Sequence, residues 1–438
     1  MSSQVVTFSG ASAVLLASRM AWAAATPVVG PVLRARVRRG REDPDRLGER
    51  LGYPSVPRPP GPLCWVHAAS LGEARSVEPI IRRLVDDHGM DVLLTTVTVT
   101  SARAMAQALP PRARHQFAPL DRRSAVDRFL DHWRPDCALR VESEIWPETL
   151  SALTHRRIPR AIVQARLSAR SATRWNWLGG ALRQLLDGFD PVIAQTTVDR
   201  KRLADLGVAH LQGPFNLKAD AGVPEADPAS LAALRNDLGQ RPLWLAASTH
   251  PGEETIALDA HARLSPRWPD LLTILLPRHP DRGNSIESHV RKCGLTVRRR
   301  SLGVLPGDAN VYVADTLGET GLFYRLAPVA LVGGTLASRG GHNLLEPAQL
   351  DCAILHGPDI ANVVDVATEL KQAGAAIEVL DARTLAGALS HLLEQPAAAE
   401  RMTAAAKLVA ARASGVTAQV TELLGPMIAA AKVAHART

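Results

Sequence analysis

Short apolar runs alternate with longer stretches of helical periodicity along most of this 438-residue chain. In the first half, runs typical of buried strands occupy residues 63–68, 92–96, 137–141, 161–164 and 192–194. The same rhythm begins again at residues 243–246, 272–276, 311–313, 330–332 and 353–355. Helical patterns lie between the runs, for instance over 125–133 and 173–186. This alternation predicts an α/β protein with two parallel sheets, each covered by helices on both faces.

A change of composition separates the two predicted sheets. Residues 220–240 are richer in Pro, Gly, Asp and Ala than their surroundings, as expected of a connection between domains. We therefore predict an N-terminal segment over 1–41, a first α/β domain over 42–220 and a second over 221–438. The Ala- and Leu-rich residues beyond Thr384 are predicted to form helices of the second domain.

The N-terminal segment is apolar but interrupted. Residues 5–33 are mostly Ala, Val and Leu, broken by Arg19 and by two prolines, and a tract of arginines follows over 34–41. Positive charge behind the apolar stretch is the reverse of a signal peptide, and it fits a membrane anchor whose following domain stays cytoplasmic. The alternatives are a helix lying in the membrane interface and a core helix of a soluble domain.

Composition narrows the class of partner. The formal net charge is +8 and aromatic residues make up only 4% of the chain. The positive charge suits acidic partners, namely nucleic acid, anionic lipid or phosphorylated substrates, and composition does not choose among these. Neither G-x-G-x-x-G nor a phosphate-loop pattern occurs, which disfavours a dehydrogenase or P-loop enzyme. The four cysteines are scattered, and Asp43 and Asp45 lie among arginines, so we predict neither disulfides nor a metal site.

The end of the 63–68 run carries the first candidate chemistry. Ser70, Gly72 and Glu73 stand where the strand pattern gives way to a helical one. At such a junction a glycine lets the backbone approach a substrate closely. The carboxylate of Glu73 would lie in the first helical turn, where it is placed to act as a general base or simply to complement the helix dipole.

Two further acids, Glu142 and Glu144, follow the 137–141 run. On an extended chain, residues spaced by two lie on the same face, so both carboxylates could reach one cleft. A turn beginning at Ser143 would separate them. The other interpretation is that they balance Arg140 or cap a helix beginning at Pro147.

Loops after three runs of the second domain combine groups that bind phosphate and ribose. Hydroxyls before a helix can cradle an anion, an arginine can bind a phosphate through two donors, and Glu346 could bind a ribose diol. The candidate residues are Ser248, Thr249 and His250, then Pro277, Arg278 and His279, then Gly333, Gly334 and Thr335, and finally Asn343 and Glu346. Together they predict a nucleotide site.

Several of these segments, in order, resemble one known family, the 3-deoxy-D-manno-octulosonic acid (Kdo) transferases of lipopolysaccharide synthesis. The resemblance runs from about residue 46 to at least residue 358. It rests on the segments 47–52 (LGERLG), 67–73 (HAASLGE), 142–147 (ESEIWP), 165–171 (ARLSARS), 248–250 (STH), 277–279 (PRH) and 333–347.

The resemblance implies a GT-B fold, in which two Rossmann-like domains face a cleft, and transfer of Kdo from CMP-Kdo to a lipid A precursor, lipid IVA. It implies a metal-independent inverting displacement that needs no cofactor, with Glu73 as the catalytic base and Glu142 and Lys218 as transition-state stabilisers. The resemblance also implies that the 42–220 domain binds the acceptor and the 221–438 domain binds the donor. It implies a location at the cytoplasmic side of the inner membrane. The residues implied for CMP are Pro277, Arg278, Leu317, Gly318, Glu319, Asn343, Leu344, Leu345 and Glu346.

One alternative keeps the fold and changes the donor. A GT-B glycosyltransferase or an epimerase acting on a UDP-sugar would use the same strand-end phosphate chemistry. Such an enzyme is not expected to combine the 70–73 segment with the 142–147 segment. A basic protein that binds nucleic acid without catalysis is the other class considered, and the low aromatic content disfavours it.

Overall fold

A computed structural model describes residues 10–142, 145–178, 180–220 and 222–437. The chain divides into two compact units. Unit 1 consists of residues 1–221 together with 415–438, and unit 2 of residues 222–414. Each unit has its own parallel sheet with helices in the connections, as the alternating pattern predicts.

The sheet of unit 1 has a single topological switch point. Its strands are β1 (Leu63–His67), β2 (Asp91–Thr96), β3 (Ala113–Phe117), β4 (Cys137–Val141), β5 (Arg160–Ala165), β6 (Phe189–Ala194) and β7 (Leu211–Gln212). Within the described residues they lie in the order β3-β2-β1-β4-β5-β6-β7, and each recorded pair is parallel. The chain moves outward from β1 to β3 and then returns to the other side of β1, so the order reverses between β1 and β4.

Helices precede and connect these strands. They are α1 (Gly10–Arg38), α2 (Leu47–Arg50), α3 (Leu71–Asp86), α4 (Val99–Ala108), α5 (Arg123–Trp133), α6 (Pro147–His155), α7 (Ala169–Trp177), α8 (Ala181–Leu185) and α9 (Thr197–Asp205). On α3, the apolar face formed by Val77, Ile80, Ile81 and Leu84 is fully buried. The helix predicted over 173–186 is wrong in one respect, because α7 and α8 are separate helices. Gly180 lies between them with φ +80°, a left-handed conformation that ends a helix.

Unit 2 repeats the plan with a different strand order. Its strands are β8 (Leu243–Thr249), β9 (Leu272–Pro277), β10 (Val297–Arg299), β11 (Val311–Val313), β12 (Val329–Val332), β13 (Ala353–His356) and β14 (Ala376–Glu378). Its helices are α10 (Pro228–Leu238), α11 (Glu253–Leu264), α12 (Gly283–Lys292), α13 (Thr320–Tyr324), α14 (Leu345–Gln349), α15 (Val364–Gln372), α16 (Ala382–Glu394) and α17 (Pro396–Arg412). In the described part, the order β10-β11-β9-β8-β12-β13-β14 places the switch point between β8 and β12.

Four strands were not predicted from the sequence, and all four are sheet edges: β3, β7, β10 and β14. An edge strand is covered on fewer sides than a central one and is often polar or short. Here β3 reads Ala-Arg-His-Gln-Phe, and β10 reads Val-Arg-Arg. They therefore lack the continuous apolar run that identifies the central strands.

The two C-terminal helices, α18 (Val416–Leu423) and α19 (Gly425–His435), belong to unit 1. This corrects the assignment of all residues after 384 to the second domain. Val420, Leu424 and Ile428 are buried in the same core cluster as α3. The carboxylate of Asp220 also accepts hydrogen bonds from the backbone N–H groups of Gly415 (2.8 Å) and Thr417 (2.6 Å). Helices of similar Ala-rich composition belong to different units here, because local composition does not determine which sheet a helix packs against.

Helix α1 continues through both of its prolines. Its span Ala11–Arg38, with mean hydropathy 1.3, is long and apolar enough to cross a membrane, and none of its apolar window is buried. Its N-terminal half nevertheless contacts other helices of unit 1. The N–H of Ala11 donates to Gln184 (2.9 Å), and Arg19 forms an ion pair with the buried Glu148 at 2.5 Å. The helix is therefore both an exposed apolar surface and a packing element.

Candidate active site

Glu73 lies in the first turn of α3, at the carboxyl end of β1. Ser70 caps this helix, and its hydroxyl accepts the N–H of Glu73 at 3.3 Å and donates to the Glu73 carboxylate at 2.7 Å. The second carboxylate oxygen accepts the N–H of Ala69 at 2.8 Å. The arrangement differs from a capping box in one bond, because the Glu73 carboxylate accepts the N–H of Ala69 and not that of the N-cap residue Ser70. At Gly72, an added Cβ would meet only the Ser70 hydroxyl, 3.9 Å away, so the surroundings within this unit are open.

Glu142 directly follows β4 and lies between two cationic side chains that come from other loops. The Nζ of Lys218 lies 3.6 Å from one carboxylate oxygen, and an Arg166 guanidinium nitrogen lies 3.4 Å from the other. Glu142 itself adopts φ +59°, a left-handed conformation that is uncommon outside glycine. The geometry brings together Glu142 and Lys218, both of which the family resemblance implies as transition-state stabilisers. It adds Arg166, for which no role was predicted. Ser143 and Glu144 lie outside the described residues.

Lys218 is held by an amide cluster that sequence reasoning missed. Asn216 caps the 3₁₀ turn Leu217–Ala219, and its side-chain oxygen accepts the N–H of Lys218 at 3.1 Å. The same oxygen lies 3.2 Å from the amide nitrogen of Gln164 and 3.5 Å from that of Gln195. Both glutamines are buried at the ends of β5 and β6. The sequence indicated these glutamines only as polar residues at the end of one apolar run (Gln164) and directly after another (Gln195).

The acids of unit 1 therefore flank its switch point. β1 and β4 are neighbours, with His67 opposite Arg140 in the register, and Glu73 and Glu142 follow these two strands. Loops leaving adjacent strands in opposite directions open a crevice, which is where open α/β sheets bind ligands.

A buried carboxylate, Glu253, organises the switch point of unit 2. It is fully buried, and its oxygens accept the backbone N–H groups of His250 (2.8 Å), Gly334 (2.8 Å) and Leu336 (2.9 Å). The loops after β8 and β12 are thereby joined through one side chain. Glu253 was not among the predicted site residues, because an acid in a first helical turn is commonplace.

The loop after β8 differs from the predicted anion cradle. The Thr249 hydroxyl donates to Glu254 at 2.7 Å, and Arg282 binds the same carboxylate through two nitrogens. The acids of α11 thus occupy the hydroxyl and the loop N–H groups that were expected to bind an anion. Ser248 adopts φ +56° at the strand end.

The glycines after β12 are explained by close packing. A Cβ at Gly333 would lie 2.5 Å from the carbonyl oxygen of Ser248, and Gly334 has φ +73°. The Thr335 hydroxyl is buried, donates to the Val332 carbonyl at 2.6 Å and accepts the Gly357 N–H at 2.8 Å. These residues determine the conformation of the loop, and the Thr335 hydroxyl makes both of these hydrogen bonds to the protein backbone.

Histidines and arginines gather at these strand ends. The Nε2 atoms of His250 and His342 are 2.9 Å apart, with the rings nearly parallel at 9°. The His279 ring lies 6.0 Å from that of His250. Burial lowers the pKa of His250. Arg339, His279 and Arg278 lower it further, against the opposing charge of Glu253. The Arg278, His279 and Arg339 residues are exposed.

Of the other residues predicted to bind nucleotide, Glu319 is engaged in an ion pair. It lies 2.6 Å from Arg300 and also accepts a hydrogen bond from Thr316. Burial alone would raise the pKa of Glu319, but these hydrogen bonds outweigh it and the pKa is lowered. Leu317 is 70% exposed, and Gly318 has φ +83°.

The Asn343–Glu346 loop is joined by two hydrogen bonds. The Asn343 side chain accepts the N–H of Leu345 at 3.1 Å and donates to Glu346 at 3.2 Å. Helix α14 has only five residues, and Leu344, Leu345 and Pro277 are buried. In the described part of the chain, no group of three or more His, Cys, Asp or Glu side chains could hold a metal ion.

Two parallel sheets, each with a switch point lined by charged loops, are the architecture of the GT-B fold. A solved structure of HepE from Anabaena in complex with UDP-glucose has a TM-score of 0.59 with 14% identity, over 83% of this chain and 99% of that one. At this identity the likeness concerns the fold alone.

Residues 45–221 match the family model described as 3-deoxy-D-manno-octulosonic-acid transferase (kdotransferase). The 3-deoxy-D-manno-octulosonic acid transferase of Bordetella pertussis is 38% identical, over 84% of this chain and 88% of that protein. A probable mitochondrial 3-deoxy-D-manno-octulosonic acid transferase of Arabidopsis thaliana is 34% identical, over 87% of this chain and 88% of that protein. The chain belongs to the Kdo transferase family.

The bonds of Glu253 yield a first prediction. Glu253→Gln should lower the melting temperature and weaken nucleotide binding, because the amide nitrogen would face a backbone N–H that now has an acceptor. Leaving a buried donor unsatisfied costs about 1–3 kcal/mol. Thermal melting with and without nucleotide measures both effects. Glu400→Gln, at an exposed position on α17, is the matched control. Identical melting curves for Glu253→Gln and wild type would show that the loops do not depend on this carboxylate.

Proposed function

We propose that the protein transfers Kdo from CMP-Kdo to a lipid A precursor, lipid IVA, by a metal-independent inverting displacement. The observation that carries this proposal is the meeting of Glu142, Lys218 and Arg166 at the end of β4, on the strand next to the one that leads to Glu73. Family membership supports the transferred sugar.

Glu73 is proposed as the general base. An acceptor hydroxyl attacks the anomeric carbon while its proton passes to the Glu73 carboxylate. The bond from that carbon to the phosphate oxygen breaks, and CMP leaves with the bonding electrons. The capping bonds from Ser70 and Ala69 fix the carboxylate, and each oxygen has further lone pairs. A positioned base contributes roughly 10²–10⁴-fold to the rate.

Glu142 and Lys218 are proposed to stabilise the transition state. Positive charge develops on the sugar as the leaving group departs, and a fixed carboxylate such as Glu142 counters it. Lys218 and Arg166 hold Glu142 in place through contacts of 3.6 and 3.4 Å. In unit 2, the exposed Arg278 is proposed to bind the phosphate of CMP through two parallel donors.

The acceptor and the location follow from the N-terminal helix. We propose that α1 attaches the protein to the inner membrane with both units on the cytoplasmic side. An exposed apolar span followed by the 34–41 arginines supports this arrangement, because such residues favour anionic lipid near the membrane surface. An acceptor that is itself a phosphorylated lipid would be met at that surface.

A direct assay tests the proposal. Purified full-length protein in detergent is incubated with labelled CMP-Kdo and lipid IVA, and lipid products are resolved by mass spectrometry. We expect Kdo-bearing lipid, and a rise in melting temperature with CMP that UDP does not produce. Stabilisation by UDP, together with turnover of a UDP-sugar alone, would favour the alternative donor and contradict the proposal.

The base assignment predicts that Glu73→Gln lowers turnover by 10²-fold or more while CMP affinity is kept. The amide preserves the shape of the side chain but accepts no proton. Glu78→Gln, on the same helix and paired with Arg82, is the control for helix stability. Turnover within about 3-fold of wild type, or less than ~1 kcal/mol in barrier, would leave Glu73 with a capping role only.

Deleting residues 1–33 is predicted to move the protein from the membrane to the soluble fraction and to preserve turnover on acceptor in detergent micelles. It should also lower the melting temperature, because Glu148 loses its partner Arg19. Full-length Arg19→Ala separates the two effects, since it should destabilise the fold while remaining membrane-bound. Aggregation of the truncated protein, with Arg19→Ala well folded, would mean that α1 belongs to the core.

A further inference from the structure

Two exposed arginines, Arg278 and Arg339, lie at the strand ends of unit 2. Elsewhere in the unit, Arg282, Arg299 and Arg300 each bind a carboxylate at 2.6 or 2.7 Å. Across the described residues, by contrast, no recorded hydrogen bond or ion pair engages the guanidinium of Arg278 or Arg339. An arginine held near other cations without a counter-ion is typical of an anion-binding site.

Arg339 belongs to the same cluster as the histidine pair. A Cβ added at Gly334 would lie 3.1 Å from the His342 ring and 3.5 Å from the Cβ of Arg339, so these residues adjoin. His342 in turn contacts His250 at 2.9 Å. Arg278 and Arg339 both act on the charge of His250. We call His250, Arg278, His279, Arg339 and His342 the histidine–arginine cluster.

The acids beside this cluster are already engaged, including Asp359, whose carboxylate accepts the N–H of Gly340 at 2.7 Å. Both oxygens of Glu253 accept backbone N–H groups, and Glu254 binds Arg282 and Thr249. Neither is placed as a dedicated counter-ion for Arg278 or Arg339. Like charges held close together repel, and a bound anion relieves that repulsion. The cluster therefore has the chemistry of a site for a ligand with more than one negative group.

We infer that Arg339 and the His250–His342 pair bind the carboxylate of the transferred sugar, while Arg278 binds the nucleotide phosphate. The inference rests on the proposed function and extends it, because Kdo is a sugar acid. A CMP-linked sugar acid carries a phosphodiester charge and a separate carboxylate, whereas a neutral hexose on a nucleotide has no carboxylate. Two arginines whose guanidinium groups make no hydrogen bond or ion pair within the described residues match these two anions. Arg339 and His342 thus select for an acidic sugar.

The test separates the sugar from the nucleotide by using two probes. Arg339→Gln is expected to leave the affinity for CMP, measured by calorimetry, within 2-fold of wild type. The same variant should raise the KM for CMP-Kdo at least 10-fold. Arg339→Lys should recover part of the loss, since the charge remains but the paired donors do not. Arg412→Gln, at an exposed position at the end of α17, should match wild type in both measurements.

Each other result has a distinct meaning. An equal loss of CMP affinity and CMP-Kdo turnover in Arg339→Gln would assign the residue to the nucleotide and overturn the inference. Unchanged values for both probes would make Arg339 an ordinary surface residue and overturn it as well. If wild-type protein binds CMP but does not turn over CMP-Kdo, the proposed function itself fails, and the inference fails with it.

Discussion

Parallel pairing is the constraint on which both units depend. In a parallel sheet every strand ends at the same edge, so the residues that follow the strands are gathered there whatever their distance along the chain. Glu73 and Glu142 meet the edge of one sheet in this way, although they are 69 positions apart and an extended chain would separate them by roughly 230 Å at 3.3 Å per residue. The same edge in unit 2 collects the loops after β8, β9 and β12.

The two edges use carboxylates differently. In unit 1, Glu142 stays within reach of two cations and is 19% exposed, so its charge is compensated but accessible. In unit 2, Glu253 is wholly enclosed and serves as an acceptor for three backbone N–H groups, which fixes two loops without leaving a charge toward solvent. A buried carboxylate is stable there only because each oxygen is hydrogen-bonded. One edge thereby presents an accessible carboxylate beside two cations, and the other presents the exposed side chains of Arg278 and Arg339.

The sequence predicts the central strands well, because residues buried on both faces leave a continuous apolar run such as Cys64 to Val66. It misses β3, β7, β10 and β14 because edge strands carry polar residues. The family resemblance implies roles for both Glu142 and Lys218, but the sequence does not indicate their 3.6 Å contact, which depends on the sheet order. The Asn216 cluster and Glu253 are harder still, because a hydrogen bond between loops leaves no periodic trace.

The return of α18 and α19 to unit 1 makes unit 2 an insertion within it. Unit 2 is continuous from 222 to 414, so all of its chain is available before synthesis ends. Unit 1 is discontinuous, and the core cluster that α3 shares with Val420, Leu424 and Ile428 stays incomplete until the residues after 414 have been synthesised. Domains usually fold in the order in which they are made. Here the chain of unit 2, which begins later, is complete first, and the chain of unit 1, which carries Glu73, is complete only afterwards.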